Sequence, residues 1–83
     1  REKMLLIAQP ARDKRRLSTK EMRLIIKALC TDQYIAISVL SELVDRTSQN
    51  IRQSHLKKMV ESNELKLAFP YKPNAPKQGY TSS

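Results

Sequence analysis

Apolar residues recur along this chain with two different periods, and the change of period divides it into elements. Met22, Ile25, Ile26 and Leu29 stand at i, i+3, i+4 and i+7, one stripe of a helix, with Lys20, Arg23 and Lys27 turned largely outward. Just before the stripe, Ser18-Thr19-Lys20-Glu21 has the form of a capping box, in which the serine hydroxyl accepts from the Glu21 amide and the carboxylate reaches back. Tyr34-Ile35-Ala36-Ile37 is β-favouring and too short for a helix, so it predicts a brief strand. Ser38 is placed to cap a second helix that buries Val39, Leu40, Leu43 and Val44 and exposes Glu42. Asp45-Arg46 makes a turn, and Thr47 or Ser48 caps a third helix running to about Ser62, where Asn63 takes the left-handed C-terminal position.

The third helix carries an irregularity. Ile51 and Leu56 are five residues apart, whereas Leu56, Met59 and Val60 keep helical spacing, so a single straight stripe would put Arg52 near the middle of the apolar face. A kink or a one-residue π-bulge near Ser54-His55 resolves the conflict. Beyond Asn63 the period changes to two: Leu65, Leu67 and Phe69 alternate with Lys66 and Ala68, as in a strand with one buried face, and Gly79-Tyr80-Thr81 predicts a shorter second strand. Between them, residues 70 to 78 form a stiff, proline-rich loop poor in backbone donors. The order helix, short strand, helix, tight turn, helix, β-hairpin is that of a winged helix-turn-helix, mainly α with a small β-hairpin wing (α+β), over residues 18 to 83.

Residues 1 to 17 stand apart. Met4 to Ala8 is the longest apolar run, and Pro10-Ala-Arg-Asp-Lys-Arg-Arg16 opens on a helix breaker and is charged, which predicts a basic linker or arm. Full burial of a large apolar side chain is worth about 1.5 to 3 kcal/mol, so the run favours packing on its own chain, on a second copy or on a further domain. Homodimerisation through Met4, Leu5, Leu6 and Ile7 is the expectation, because helix-turn-helix proteins often present two recognition helices to paired half-sites.

Composition narrows the function. A chain of 83 residues buries only roughly 60% of the surface its unfolded form exposes, which argues against a deep catalytic cleft and an enzyme. Sixteen Lys plus Arg against eight Asp plus Glu leave a net charge of +8, which favours a polyanionic partner. A single cysteine, Cys30, offers no disulfide or metal cluster and reads as core in a cytoplasmic protein. No apolar run reaches the length of a membrane span, and no cofactor is implied. The first residue is Arg1 and the last three are Thr81-Ser82-Ser83, which points to a piece of a longer protein.

Ile51-Arg52-x-x-x-Leu56-x-x-Met59-Val60, then Leu65-x-Leu67, then Phe69-Pro70-x-x-Pro73-Asn74-x-Pro76-x-Gln78-x-Tyr80 carry a resemblance. Residues 18 to 81 resemble the C-terminal winged helix of bacterial transcriptional regulators that have an AlbA-type nucleic-acid- or nucleotide-binding domain, often labelled RecG-like or ATP-dependent helicase-related. The resemblance implies a DNA-binding or regulatory module attached to a larger N-terminal domain. Asn63 stands where that family usually has Gly, a replacement the left-handed conformation tolerates.

In a helix-turn-helix the second helix of the pair enters the major groove. With Ile51 inward, Gln49 and Gln53 project opposite it and Asn50 and Arg52 flank them, and Ser48 begins the helix. Gln and Asn pair with adenine, and Arg with guanine, through two hydrogen bonds each. Lys57 and Lys58, and Lys72 and Lys77 in the wing, are candidates for phosphate. Arg12, Lys14, Arg15 and Arg16 form the densest positive cluster, read as a minor-groove arm or a solvated linker. The plain alternative for every one of these residues is a solvated surface. Tyr80 is assigned to the core, and His55 lacks a second ligand at metal spacing. Asp45, Glu61 and Glu64 are read as helix-end or solubility charges. The competing functional reading is a winged helix used for protein contacts.

Overall fold

Four helices and three short strands make up the domain. The computed structural model describes residues 2–72, 75 and 77–82. The elements are α1 (Glu2–Asp13), α2 (Thr19–Leu29), β1 (Ile35–Ala36), α3 (Ile37–Val44), α4 (48–61), β2 (Lys66–Leu67) and β3 (Gly79–Thr81). The strands form one antiparallel sheet in the order β1-β3-β2, with Ile35 opposite Tyr80 and Leu67 opposite Tyr80 on the other side. The result is a small α+β domain, helices followed by a three-stranded antiparallel sheet, consistent with a winged helix. The expected hairpin is thus completed by the brief strand before α3, which pairs with β3.

Local chemistry accounts for the helix starts. Ser18 caps α2 and accepts from the Glu21 amide at 3.1 Å. The Glu21 carboxylate meets the serine hydroxyl itself at 3.1 Å, where the capping box would have sent it to the Ser18 amide. Thr47 caps α4 through the Asn50 amide at 3.1 Å. Ser38 caps nothing. The helix begins two residues earlier than a Ser38 cap would set, at Ile37, with Ala36 at the cap position and no side-chain bond, because the end of β1 already fixes the extended entry. Asp45 and Asn63 both adopt left-handed backbone, with φ of 55° and 65°.

The largest departure is at the N-terminus. Residues 10 to 13, expected in a linker, continue α1 through Pro10. Proline removes one backbone donor from the ladder, a cost that here is offset by burial: Ala8 and Ala11 are completely buried, and Met4, Leu5 and Ile7 pack partly against the core. The apolar run therefore lies on its own chain, against α2 and α3. Only Leu6, 73% exposed, stays in water.

Two arginines join α1 to α3 in reciprocal fashion. Arg12 Nη1 donates to the Glu42 and Leu43 carbonyls at 2.9 and 3.3 Å, at the C-terminus of α3. Arg46, just beyond α3, sends Nη1 to the Ala11 carbonyl at 3.0 Å and Nη2 to the Lys14 and Arg15 carbonyls at 2.7 and 2.9 Å. Each guanidinium thus satisfies helix-end carbonyls of the other segment, where the dipole also favours a cation.

The core gathers Met22, Ile26 and Leu29 from α2, Leu40, Leu43 and Val44 from α3, and Ile51, Leu56 and Met59 from α4, with Leu65 and Tyr80 from the sheet side. The C-terminal strand is moored to α2: the Cys30 carbonyl accepts from the Ser82 amide at 3.0 Å and the Thr81 hydroxyl at 3.1 Å. No helix among the described residues is long and apolar enough to cross a membrane.

Candidate nucleic-acid interface

The helix that would enter a groove is α4, and its irregularity decides which side chains it presents. Residues Ser48–Ile51 are α-helical, Arg52–Leu56 form a π-helical stretch, and Lys57–Glu61 resume the α-helix. The extra residue in the turn lets Ile51, Leu56 and Met59 all reach the core while Arg52 stays outside. The bulge expected near Ser54-His55 is where the spacing placed it. Gln49, Asn50, Arg52 and Gln53 are exposed, Ser48 is half-buried, and no acidic residue interrupts them.

Arg52 is more constrained than its neighbours. Burial pushes the Tyr80 hydroxyl above its ordinary value, and the Arg52 guanidinium, hydrogen-bonded to it, pulls the other way. Arg52 therefore bridges α4 and β3 across a groove also lined by Leu56, Lys57, Val60 and Leu67. Tyr80 itself is 4% exposed, a core residue as its pattern indicated. Lys57 stands on this groove, and Lys58 is exposed.

The wing is organised by a residue that the pattern of apolar positions did not single out. Gln78 is 3% exposed, and its amide serves the backbone at four points. Oε1 accepts from the Phe69 amide at 2.9 Å and the Gly79 amide at 3.2 Å, and Nε2 donates to the Phe69 and Lys72 carbonyls at 2.8 and 3.0 Å. The signal was its place in the proline-rich motif. Pro73, Asn74 and Pro76 of that motif lie outside the described residues. Lys72 and Lys77 are exposed, as are Phe69 and Tyr71.

The four basic residues expected on an arm separate in the structure. Arg12 belongs to α1 and is engaged with the end of α3, and Lys14 and Arg15 have their carbonyls held by Arg46, so this segment is not a free arm. The side chains of Lys14, Arg15 and Arg16 remain exposed.

His55 is buried within the π-helical stretch at 8% exposure, and its Nδ1 has no hydrogen-bond partner among the described residues. Burial first, and the neighbouring Arg23 guanidinium second, lower its pKa, which favours the neutral imidazole. No group of three or more His, Cys, Asp or Glu side chains able to hold a metal lies among the described residues. Asp45 sits at the C-cap of α3, Glu61 ends α4, and Glu64 accepts from the Ser62 hydroxyl at 2.9 Å. Compared with family models, curated proteins and solved structures, the chain matches none of them.

Proposed function

We propose that this domain is the DNA-binding module of a transcriptional regulator, with α4 in the major groove and the basic, proline-rich wing on the phosphate backbone. The observation that carries the reading is the acid-free, exposed run Gln49, Asn50, Arg52 and Gln53 on the helix that follows the left-handed turn at Asp45. These are side chains that pair with base edges, on the element whose place in the order is that of a recognition helix. The resemblance of residues 18 to 81 to the winged helix of AlbA-type regulators favours the same module. Protein contact through Met4, Leu5, Leu6 and Ile7 is the weaker reading, because α1 already packs all but Leu6 of that run against its own core.

Titration of duplex DNA at low and moderate salt tests the proposal. Affinity falls steeply with salt, as expected where phosphates are neutralised and counterions released. Arg52→Ala and Gln53→Ala change the preferred sequence, while Lys72→Ala and Lys77→Ala weaken binding to all sequences alike, since base contacts specify and phosphate contacts position. Absence of binding at low salt, or an affinity indifferent to salt, removes DNA as the partner.

A further inference from the structure

Between the start of α2 and the first turns of α4 lies a cleft of about 420 Å³, lined by Arg15, Arg16, Thr19, Asn50, Ser54 and His55 among others. Among the described residues no carboxylate lines it. Its basic rim is held in place by Arg46, which also borders the cleft but spends its guanidinium on backbone carbonyls, those of Lys14 and Arg15 included. The backbone on which Arg15 and Arg16 stand is thereby pinned, and two consecutive guanidinium groups are delivered to one opening. Among the described residues no hydrogen bond engages either of them.

A second observation comes from the buried side of the cleft. His55 is more than nine-tenths buried, lines the cleft, and keeps a buried Nδ1 without a partner. Behind it Arg23 reaches the Ser54 carbonyl with Nη2 at 3.3 Å. Buried polar atoms normally find partners, and His55 Nδ1, on a residue of the cleft's own lining, has none among the described residues. Thr19 is the first residue of α2, so the positive end of that helix faces the same region.

We propose that this cleft binds a phosphate group, and that in the DNA complex it seats a backbone phosphodiester beside the groove entered by α4; the identity of that phosphate rests on the DNA-binding reading. Arg15 and Arg16 supply charge and paired donors, and Thr19 and Ser54 supply neutral ones. A neutral His55, kept so by burial and by Arg23, contributes a ring N–H without adding charge. Asn50 lines the cleft while Gln49 and Gln53 stand exposed on the same turns of α4, so a seated phosphate fixes the register in which the helix meets base edges.

Two measurements on the whole chain test the site. In the first, the His55 ring signals are followed by NMR as inorganic phosphate replaces chloride at constant ionic strength and pH. A saturable shift is expected, and its disappearance in Arg15→Ala/Arg16→Ala. Both side chains are exposed and make no hydrogen bond among the described residues, so the variant is expected to keep its fold. In the second, duplex DNA affinity is measured against salt, and the double variant lowers the log–log slope by about one, as expected when one phosphate is no longer neutralised. If DNA binds with an unchanged slope and phosphate moves no ring signal, the cleft proposal is overturned and the DNA reading stands. If phosphate gives the saturable shift but duplex DNA does not bind, the site stands for a free phosphate or phosphorylated small molecule, and the DNA reading falls. No response to either removes both.

Discussion

Gln78 pairs with Phe69 as a neighbouring strand would: its Oε1 accepts from the Phe69 amide at 2.9 Å and its Nε2 donates to the Phe69 carbonyl at 2.8 Å. One side chain thus replaces a rung of the ladder where regular pairing between β2 and β3 has ended, since the register runs only from Lys66-Leu67 to Thr81-Tyr80. Removing it takes the acceptor from the Phe69 and Gly79 amides and leaves the Phe69 and Lys72 carbonyls with only their backbone bonds from Lys72 and Ala75. Gln78→Ala is expected to destabilise the domain by about 1–3 kcal/mol, read from urea unfolding. Gln78→Glu keeps the acceptor and loses the donor, so its ionised form costs at least as much. A neutral effect of both would show that the wing stands without this side chain.

Much of the helical framework was readable from the residues, because it depends on neighbours in sequence. Ser18, Thr47 and Asn63 act within a turn of their own position, and the five-residue gap between Ile51 and Leu56 is itself the record of the π-helical stretch. What was not readable depends on distant partners. Pro10 argues locally against a helix, and only the burial of Ala8 and Ala11 under α2 and α3 overrides it. Gln78 and Arg46 look like surface residues in any scan of apolar periodicity, since a polar side chain that is buried by satisfying backbone groups leaves no periodic signal. The acid-free face of α4 was legible; the cleft that joins residues 15 and 16 to residues 50, 54 and 55 was not, because α1 had to dock before that segment was fixed.

Arg46 is the residue on which that docking depends. Its guanidinium reaches five carbonyls, those of Ala11, Lys14, Arg15, Val44 and Asp45. Arg46→Ala is expected to cost on the order of 2–3 kcal/mol, as for hydrogen bonds to a charged group. The loss is local before it is global: amide exchange in α1 accelerates more than in α4. Arg46→Lys restores only part, since a compact ammonium cannot span both carbonyl groups as a planar fork does. Equal acceleration in α1 and α4 would mean that α1 is held by its apolar face alone.

Cys30 is fully buried at the end of α2, and desolvation pushes its thiol up to about 12. At pH 8 the reactive thiolate is therefore almost absent from the folded protein, and a thiol reagent must await opening of the core. Labelling in the native state is expected to follow the opening rate and to become fast in denaturant. Rapid stoichiometric labelling of the native protein would place Cys30 at a surface.

Near neutral pH the stability of the domain depends on a single side chain, because the chain has only one histidine. Burial of His55 and the nearby Arg23 guanidinium lower its pKa in the folded state from the ordinary 6.5. Below pH 6.5 the unfolded chain therefore takes up a proton that the folded chain still refuses, and protonation draws the equilibrium toward the unfolded state. Stability contributed by the neutral imidazole is complete above pH 6.5 and is lost as the pH falls toward the folded-state value. The urea midpoint is expected to decrease between pH 7.5 and 5.5, a range in which ordinary carboxylates stay ionised. His55→Gln, which keeps a polar side chain and removes the titration, flattens the profile. A wild-type midpoint constant across that range, or a decline that persists unchanged in His55→Gln, would place the imidazole in contact with solvent or with a compensating anion.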